Sequence, residues 1–297
     1  MVYFERRGFS PHGVEKVNID KTYKLAKEVV EADRIDPKKL KNCDEQMVNR
    51  DMQYVRDREA QFEMESRPEA REDKKMATIM EVIINEQVEL NDWLGPNAET
   101  VISSQYDDIA NGVDGIIRLQ REGEGDTDLC LAVDVTFSSD STHIRGKFNK
   151  IFENIEKGEL TEIKYFTVPN PEDVHEYEYK GSVKMPRVVI GIERQIVEKL
   201  GDLWFKKNRK ELGGHPVQHV IAKEILDQLA VYDQYARSHG NRNDIATVYR
   251  RASGVIEGSL KEKEDGGDYM NGFKPLKNDR VLGAITTYLD DVVTAMR

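Results

Sequence analysis

Three acidic side chains occupy positions in this sequence where acids are unusual. Asp114 interrupts the apolar run GVDGIIRL, Asp134 interrupts LCLAVDVTF, and Glu86 falls on the apolar stripe of a helix-like segment. Burying a carboxylate costs free energy unless a partner or a cation compensates it, and Asp is also a poor strand former. We therefore interpret these acids as candidates for chemistry rather than for solvation.

Convergence of the three acids would create a metal site. If neighbouring strands place Asp114 and Asp134 side by side and a helix packs Glu86 above them, the carboxylates repel one another until a proton or a cation neutralises them. Oxygen ligands of this kind suit Mg²⁺ or Mn²⁺. Such an ion activates a water molecule and stabilises charge on a phosphoryl oxygen. The acids therefore indicate phosphodiester hydrolysis.

The elements that must position these acids follow from apolar periodicity. Helical spacing predicts helices over 76–95, 142–158 and 193–212, and short branched runs predict strands between them. The predicted strands are 112–119, 129–137, 162–168 and 187–192. This alternation of helices and strands is typical of a layered α/β protein.

Both ends of the chain are predicted to carry helical additions. Residues 21–32 have helical spacing, and the mixed-charge stretch 51–75 is typical of a solvated helix or a tether. Beyond residue 213 only helices are predicted, at 216–238, 243–263 and 279–296. The predicted organisation is a charged helical region 1–70, an α/β core 71–212 and a helical region 213–297.

The acids and their order resemble the PD-(D/E)XK nuclease superfamily. Its members carry a Glu on the first core helix, an Asp on the second strand and (D/E)-X-K on the third. Here Glu86, Asp114 and Asp134-Val135-Thr136 occur in that order, and YDDIANGVDGIIRL resembles the approach to the Asp-bearing strand in RecB-like members. The resemblance covers about residues 72–212. It implies a restriction-endonuclease-like fold, with a central mixed four-stranded sheet flanked by helices.

The resemblance also implies roles for individual residues. Asp114 and Asp134, helped by the Val135 carbonyl, would bind Mg²⁺ or Mn²⁺, and Glu86 would position the metal or its water. The expected substrate is nucleic acid, with DNA as our choice.

One position departs from the pattern of the superfamily. Thr136 stands where the lysine that orients the attacking water is expected. Lys147 borders the apolar stripe of the next helix and is our first replacement, ahead of Arg145 and Lys150. We expect its nitrogen within about 4–6 Å of Asp134, the range in which opposite charges shift each other's pKa.

Structural explanations compete with the functional ones at several positions. Asp114 can cap a turn beside its glycine neighbour, and Asp107 and Asp108 are either extra metal ligands or turn formers. His215 and His219 have the spacing of a zinc-binding helix but lack the HExxH pattern, so a helix start is the better interpretation. Basic clusters at 206–210 and 237–251 are candidate phosphate contacts or ordinary helix-surface charges.

Composition narrows the classes of function. The 297 residues carry 44 Lys plus Arg against 55 Asp plus Glu, a net charge of −11 that counts against nucleic-acid binding over the whole surface. No apolar run reaches the roughly 20 residues of a membrane span, and the first residues lack a secretory signal pattern. Cys43 and Cys130 make no disulfide framework. We therefore expect a cytoplasmic protein without a membrane partner.

Three hypotheses remain at this point. The first is a metal-dependent nuclease acting on DNA. The second is a catalytically inactive, nuclease-like module that binds nucleic acid or serves assembly, which Thr136 and the acidic net charge favour. The third is an unrelated α/β protein in which the acids are structural. Divalent-metal binding discriminates the first two, and the oligomeric state is left open.

Overall fold

A mixed four-stranded sheet with helices packed around it forms the centre of the protein. The computed structural model describes residues 19–65, 68–119, 128–170, 173–239, 242–263, 276 and 279–297. The strands are β1 (Ala98–Ile102), β2 (Gly115–Leu119), β3 (Leu129–Thr136), β4 (Thr161–Asn170), β5 (Asp173–Met185) and β6 (Arg187–Gly191). The helices are α1 (Ile19–Asp33), α2 (Glu45–Glu65), α3 (Pro68–Leu90), α4 (Ser141–Lys157), α5 (Arg194–Phe205), α6 (Arg209–Gly213), α7 (Val217–Ser238), α8 (Asn243–Lys263) and α9 (Arg280–Ala295).

The central sheet has the strand order β1-β2-β3-β6. Neighbours β1 and β2, and likewise β2 and β3, run antiparallel, whereas β3 and β6 run parallel. The expectation of an α/β protein with a mixed four-stranded sheet flanked by helices is thereby confirmed. Strand β3 is buried along almost its whole length, as expected of an inner strand covered on both faces.

The membership of the central sheet differs from the sequence-based prediction. The predicted strand at 162–168 exists as β4, but β4 pairs with β5 in a separate two-stranded sheet. Its place in the central sheet is taken by β1, whose sequence AETVI is too short and polar to give a strand signal. Strand β5 was missed for a similar reason, because DVHEYEYKGSVKM is rich in charged residues.

The predicted helix over 193–212 is interrupted. Helix α5 ends at Phe205, Lys207 adopts a left-handed backbone with φ 56°, and α6 begins at Arg209. Asn208 caps the new helix, because its side chain accepts a hydrogen bond from the Glu211 N–H. A cluster of charges at 206–210 thus marks a helix break and a new helix start.

The helical additions share one hydrophobic core with the sheet. Ala26 and Val30 of α1 belong to the same buried cluster as Leu131 of β3 and Leu229 of α7. Helix α2 is attached differently, since its first half packs Met52 and other side chains into a small separate cluster and its second half is exposed.

Helix α7 covers the free edge of the central sheet. Strand β6 is the last in the sheet order, so one side of its backbone has no neighbouring strand. The Gln228 amide accepts from the Val189 N–H at 2.8 Å and donates to the Val189 carbonyl at 2.6 Å. Glu224 accepts from the Gly191 N–H at 3.2 Å. Two buried polar side chains therefore replace the missing strand.

Candidate metal and substrate site

A cleft of about 1360 Å³ opens between the N-terminal helices and one end of the central sheet. Its volume exceeds the roughly 300–1,000 Å³ typical of small-molecule pockets, which favours an extended ligand. Its walls come from α1, α2, α3 and the short 3₁₀ helix Pro37–Lys39. Its floor carries charged side chains, namely Glu81, Asp108, Asp114, Asp134 and Lys147.

Asp134 lies at the floor with both carboxylate oxygens engaged. Lys147 Nζ pairs with Oδ1 and Arg187 Nη2 pairs with Oδ2, and the Asp134 side chain is only 3% exposed. Lys147 comes from α4, where it borders the buried stripe that includes Phe148. The structure therefore places Lys147 in direct contact with Asp134, closer than the upper limit of about 4–6 Å expected from the sequence.

Arg187 is a member of the site that the sequence analysis missed. It is the first residue of β6, is buried, and donates from Nη1 to the Asn111 carbonyl at 2.8 Å. Gly112 makes room for it, because a Cβ at this left-handed glycine would lie 2.9 Å from Arg187 Nη2. The one sequence signal is an arginine directly before a buried apolar run, which is rare without a partner.

Asp114 lies directly before β2 and turns its carboxylate toward β3. Its Oδ2 accepts from the Val135 N–H at 2.7 Å. Removal from water, followed by the negative charges of Glu81 and Asp108, holds the Asp114 pKa well above its usual range. Asp114 and Val135 are therefore hydrogen-bonded to each other at the floor, and the expected metal-binding role of the Val135 carbonyl stays a prediction.

The helix carboxylate at this floor is Glu81 and not Glu86. Glu86 points toward α5, where its Oε2 accepts from Trp204 Nε1 at 2.7 Å. Glu81 lines the cleft with Asp114 and Asp134. The apolar stripe did not predict which glutamate of α3 faces the sheet. Helix α3 is buried on several faces, and Leu90 of that stripe is 62% exposed.

Removal from water also controls the protonation of Glu81. This effect and the neighbouring Asp108 charge raise the Glu81 pKa to about 7, against the lowering effect of Arg34 and Lys74. Arg34, at the end of α1, pairs through Nη2 with Asp108 Oδ2 at 3.1 Å. The floor therefore holds more buried negative charge than its cations neutralise, and a proton or a metal ion must balance the rest.

The two acids at 107 and 108 have different roles. The fully buried carboxylate of Asp107 accepts from the backbone N–H groups of Lys164 at 2.7 Å and Tyr165 at 3.1 Å. It also accepts from Ser104 Oγ at 2.7 Å and Asn111 Nδ2 at 2.8 Å. Asp107 therefore fastens the turn before β2 to β4, and Asp108 alone faces the cleft.

The other candidates of the sequence analysis lie away from this floor. Arg145 and Lys150 are exposed on α4. His215 Nδ1 accepts from the Val217 N–H at 3.2 Å, as expected of a residue at a helix start. In the C-terminal basic cluster, Arg237 and Arg250 both pair with Asp233. His215, Arg237 and Arg250 therefore have structural partners.

The floor offers room and donors for one cation. A cavity of about 20 Å³ beside Glu81, Asn85 and Asp114 is large enough for a single water-sized species, and the rest of its lining is mostly aliphatic, with Ile84, Ile102, Ile116, Ile117, Val133 and Val135. Carboxylate and amide oxygens are the donors that Mg²⁺ or Mn²⁺ prefers. Within the described part of the chain, no group of three His, Cys, Asp or Glu side chains is already arranged around one ion. Glu81 and Asp114 fit the cation best, since Asp134 already has two partners.

Comparisons with known proteins found no relative for this chain. Neither a protein-family model, nor a curated protein, nor a solved structure matches this chain. Within the described ranges, the helices are too short or too polar to cross a membrane.

Proposed function

We propose that this protein is a divalent-metal-dependent nuclease that hydrolyses phosphodiester bonds, with DNA as the substrate. The observation that carries the proposal is the convergence of Glu81, Asp114, Asp134 and Lys147 at the floor of one large cleft. Carboxylates with a lysine beside them supply metal ligands and a fixed positive charge, which are the two requirements for stabilising a reacting phosphate.

The order of the elements supports a restriction-endonuclease-like core. With β1 in the sheet, Asp114 directly precedes the second strand and Asp134 lies on the third. Glu81 lies on the helix that precedes β1. The arrangement helix-Glu, second-strand Asp, third-strand Asp is the one that the PD-(D/E)XK resemblance implies, with Glu81 in the place first assigned to Glu86.

The residues divide the work as follows. Glu81 and Asp114 would hold Mg²⁺ or Mn²⁺, which would supply an activated water and positive charge beside a phosphoryl oxygen. Asp134 fixes the ammonium group of Lys147 at the edge of the floor. Lys147, 21% exposed at its side chain, presents the remaining positive charge to the cleft. Thr136 needs no catalytic part in this arrangement, because Lys147 supplies the missing cation.

One observation favours an inactive nucleic-acid-binding or assembly module as the second candidate. Asp134 is neutralised by both Lys147 and Arg187, as a carboxylate with a purely structural role would be. In that case the floor would remain balanced by protons on Glu81 and Asp114 and would have little affinity for a divalent cation.

Calorimetric titration with Mn²⁺ and a cleavage assay on labelled DNA test the proposal. We expect metal binding and metal-dependent cleavage in the natural protein, and loss of both in Asp114→Asn. Lys147→Met should lower turnover at least about a hundredfold with little change in metal affinity, because the ammonium acts on the phosphate rather than on the metal. Asp227→Asn, at an exposed surface pair with Lys223, is the matched control.

The outcomes separate the two candidates. Metal binding and cleavage that both vanish in Asp114→Asn support the nuclease. A protein that binds no divalent cation and cleaves no DNA excludes it and leaves the binding module. Cleavage that survives in Asp114→Asn would place the active site elsewhere.

A further inference from the structure

One face of α3 leads from the rim of the cleft to its floor. Arg71, Lys74, Thr78 and Glu81 follow one another at spacings of three and four residues, and all four line the cleft. From Arg71 to Glu81 the helix rises by about 15 Å, at about 1.5 Å per residue. The face is therefore basic at the rim and acidic only at the floor.

The two basic side chains on this face are available to a ligand. Arg71 and Lys74 are exposed, and neither forms a direct ion pair with any residue that the structure describes. Their neighbour Lys75 differs, since it is already paired with Asp20 and Glu72. The Lys74 charge also acts from a longer distance on the floor, where it lowers the pKa of Glu81 and Asp108. Exposed cations without a direct ion pair, lining a cleft in a protein of net charge −11, attract an anionic ligand to this face.

The acidic residues of the cleft are separated from this face. Those at the floor are the carboxylates of the candidate metal site, and the others belong to α1, the start of the 3₁₀ helix and α2, namely Glu31, Asp36, Glu59, Glu63 and Glu65. Above Glu81 this face of α3 is therefore basic, whereas the charged residues that α2 adds to the lining are acids. A polyanion would run along α3 and keep away from α2.

We propose that Arg71 and Lys74 form a track for the phosphodiester backbone of one nucleic-acid strand, which runs along α3 from the rim to Glu81. This inference rests on the proposed function and adds the path by which the substrate reaches the floor. A face of about 15 Å is long enough for several phosphates, since one strand of duplex DNA carries a phosphate about every 3.4 Å. Contacts to phosphates fix position and carry no base preference.

Binding of a fluorescein-labelled oligothymidylate, followed by fluorescence anisotropy in Ca²⁺ buffer over a range of salt, tests the track. We expect Arg71→Gln and Lys74→Gln each to weaken binding about tenfold, because each removes a charge-assisted contact. Each should also lower the slope of log Kd against log salt by about 0.7. Both residues are exposed, so neither substitution should affect folding.

Two control variants make the result specific. Lys157→Gln removes an exposed cation at the far end of α4, away from the cleft, and should leave binding unchanged. Glu63→Gln removes an acid that α2 adds to the cleft lining and should leave binding unchanged or tighten it.

The track would be overturned if Arg71→Gln and Lys74→Gln bound the oligonucleotide as tightly as the natural protein does. An equal loss of oligonucleotide affinity in Lys157→Gln would overturn it as well. Failure of the proposed function looks different, because cleavage and Mn²⁺ binding would then be absent while the track variants still weakened binding. Intact metal-dependent cleavage with unchanged oligonucleotide affinity in both track variants would remove the track and leave the nuclease.

Discussion

Asp134 lies between Lys147 and Arg187, and the two ion pairs differ in their exposure to solvent. The Arg187 side chain is 4% exposed, whereas the Lys147 side chain is 21% exposed and borders the cleft. An unpaired cation that stays buried costs free energy of folding, whereas a partly exposed cation can be solvated by water. The loss of stability on removing Asp134 therefore arises mainly because Arg187 is left buried without its partner.

Asp134→Ala should destabilise the fold. Repulsion among the floor carboxylates alone would predict an unchanged or higher melting temperature, but the buried Arg187 reverses this expectation. We expect the free energy of unfolding to fall by about 3–5 kcal/mol in urea denaturation. Adding Arg187→Met to Asp134→Ala should recover much of the loss. A fully stable Asp134→Ala variant would contradict the buried pair.

Glu81 and Glu86 provide a matched pair of substitutions on one helix. Glu81→Gln should lower Mn²⁺ affinity at least about tenfold in calorimetry, because it removes a carboxylate from the proposed ion. Glu86→Gln should leave that affinity unchanged, since an amide oxygen can still accept from Trp204 Nε1. The opposite ranking of the two variants would return Glu86 to the metal site.

Among the elements, α7 and β6 depend on each other most directly. Gln228 and Glu224 of α7 satisfy the free edge of β6. On the same strand, Gly191 lets α9 approach so closely that a Cβ there would meet Ile285 Cδ1 at 2.4 Å. The second oxygen of Glu224, Oε1, is buried without a hydrogen-bond partner among the described residues. Removal from water, with the Asp279 charge second, raises the Glu224 pKa well above its usual range.

Glu224 should make the stability of the protein fall with increasing pH. A carboxyl group whose pKa is raised by folding binds more protons in the folded state, so its contribution is fully present below about pH 4.3, the unfolded pKa. The contribution is lost as pH rises from there through the raised folded pKa. Glu224→Gln removes this titration, and its unfolding free energy relative to the natural protein should therefore increase from pH 4 to pH 8.

Urea denaturation at several pH values measures this difference, with the exposed Glu257→Gln as control. A difference between Glu224→Gln and the natural protein that stays constant with pH would mean that Glu224 titrates normally in the folded protein.

At the scale of the whole molecule, the sheet is enclosed by helices from both ends of the chain. Helix α1 contributes Ala26 and Val30 to the central core, and α7 contributes Leu229 and Tyr232. Each fully buried apolar side chain of this size contributes about 1.5–3 kcal/mol, against a total stability of about 5–15 kcal/mol. Removing either group of helices would expose several of these side chains, and the lost free energy would be comparable to the total stability of the protein.

The fragment 71–212 should therefore not fold by itself. It contains the candidate acids and the predicted α/β core, but it lacks α1 and the α7 side chains that cover β6. We expect weak helical circular dichroism, poor amide dispersion in NMR spectra and no cooperative thermal transition. A cooperative transition in this fragment would instead support an independent core with separable additions.

Local patterns were sufficient to predict the elements and part of the site. The periods of 2 and 3.6 residues located β3, α4 and α7 to within a few residues, because each period reflects a single buried face. They also placed Asp114 and Asp134 in two of the predicted strands and set Lys147 at the edge of the α4 stripe. These features depend on residues close together in the chain.

Only the tertiary structure decided which distant residues meet. Glu81 and Glu86 are five residues apart, so at 3.6 residues per turn they point about 140° apart around α3, and packing alone selects the one that faces the sheet. Arg187 enters the site because β6 pairs with β3, and β4 leaves the central sheet because β5 offers it a partner. The cleft exists only because α1 and α2 fold back over the sheet end, a contact between distant segments that no local period encodes.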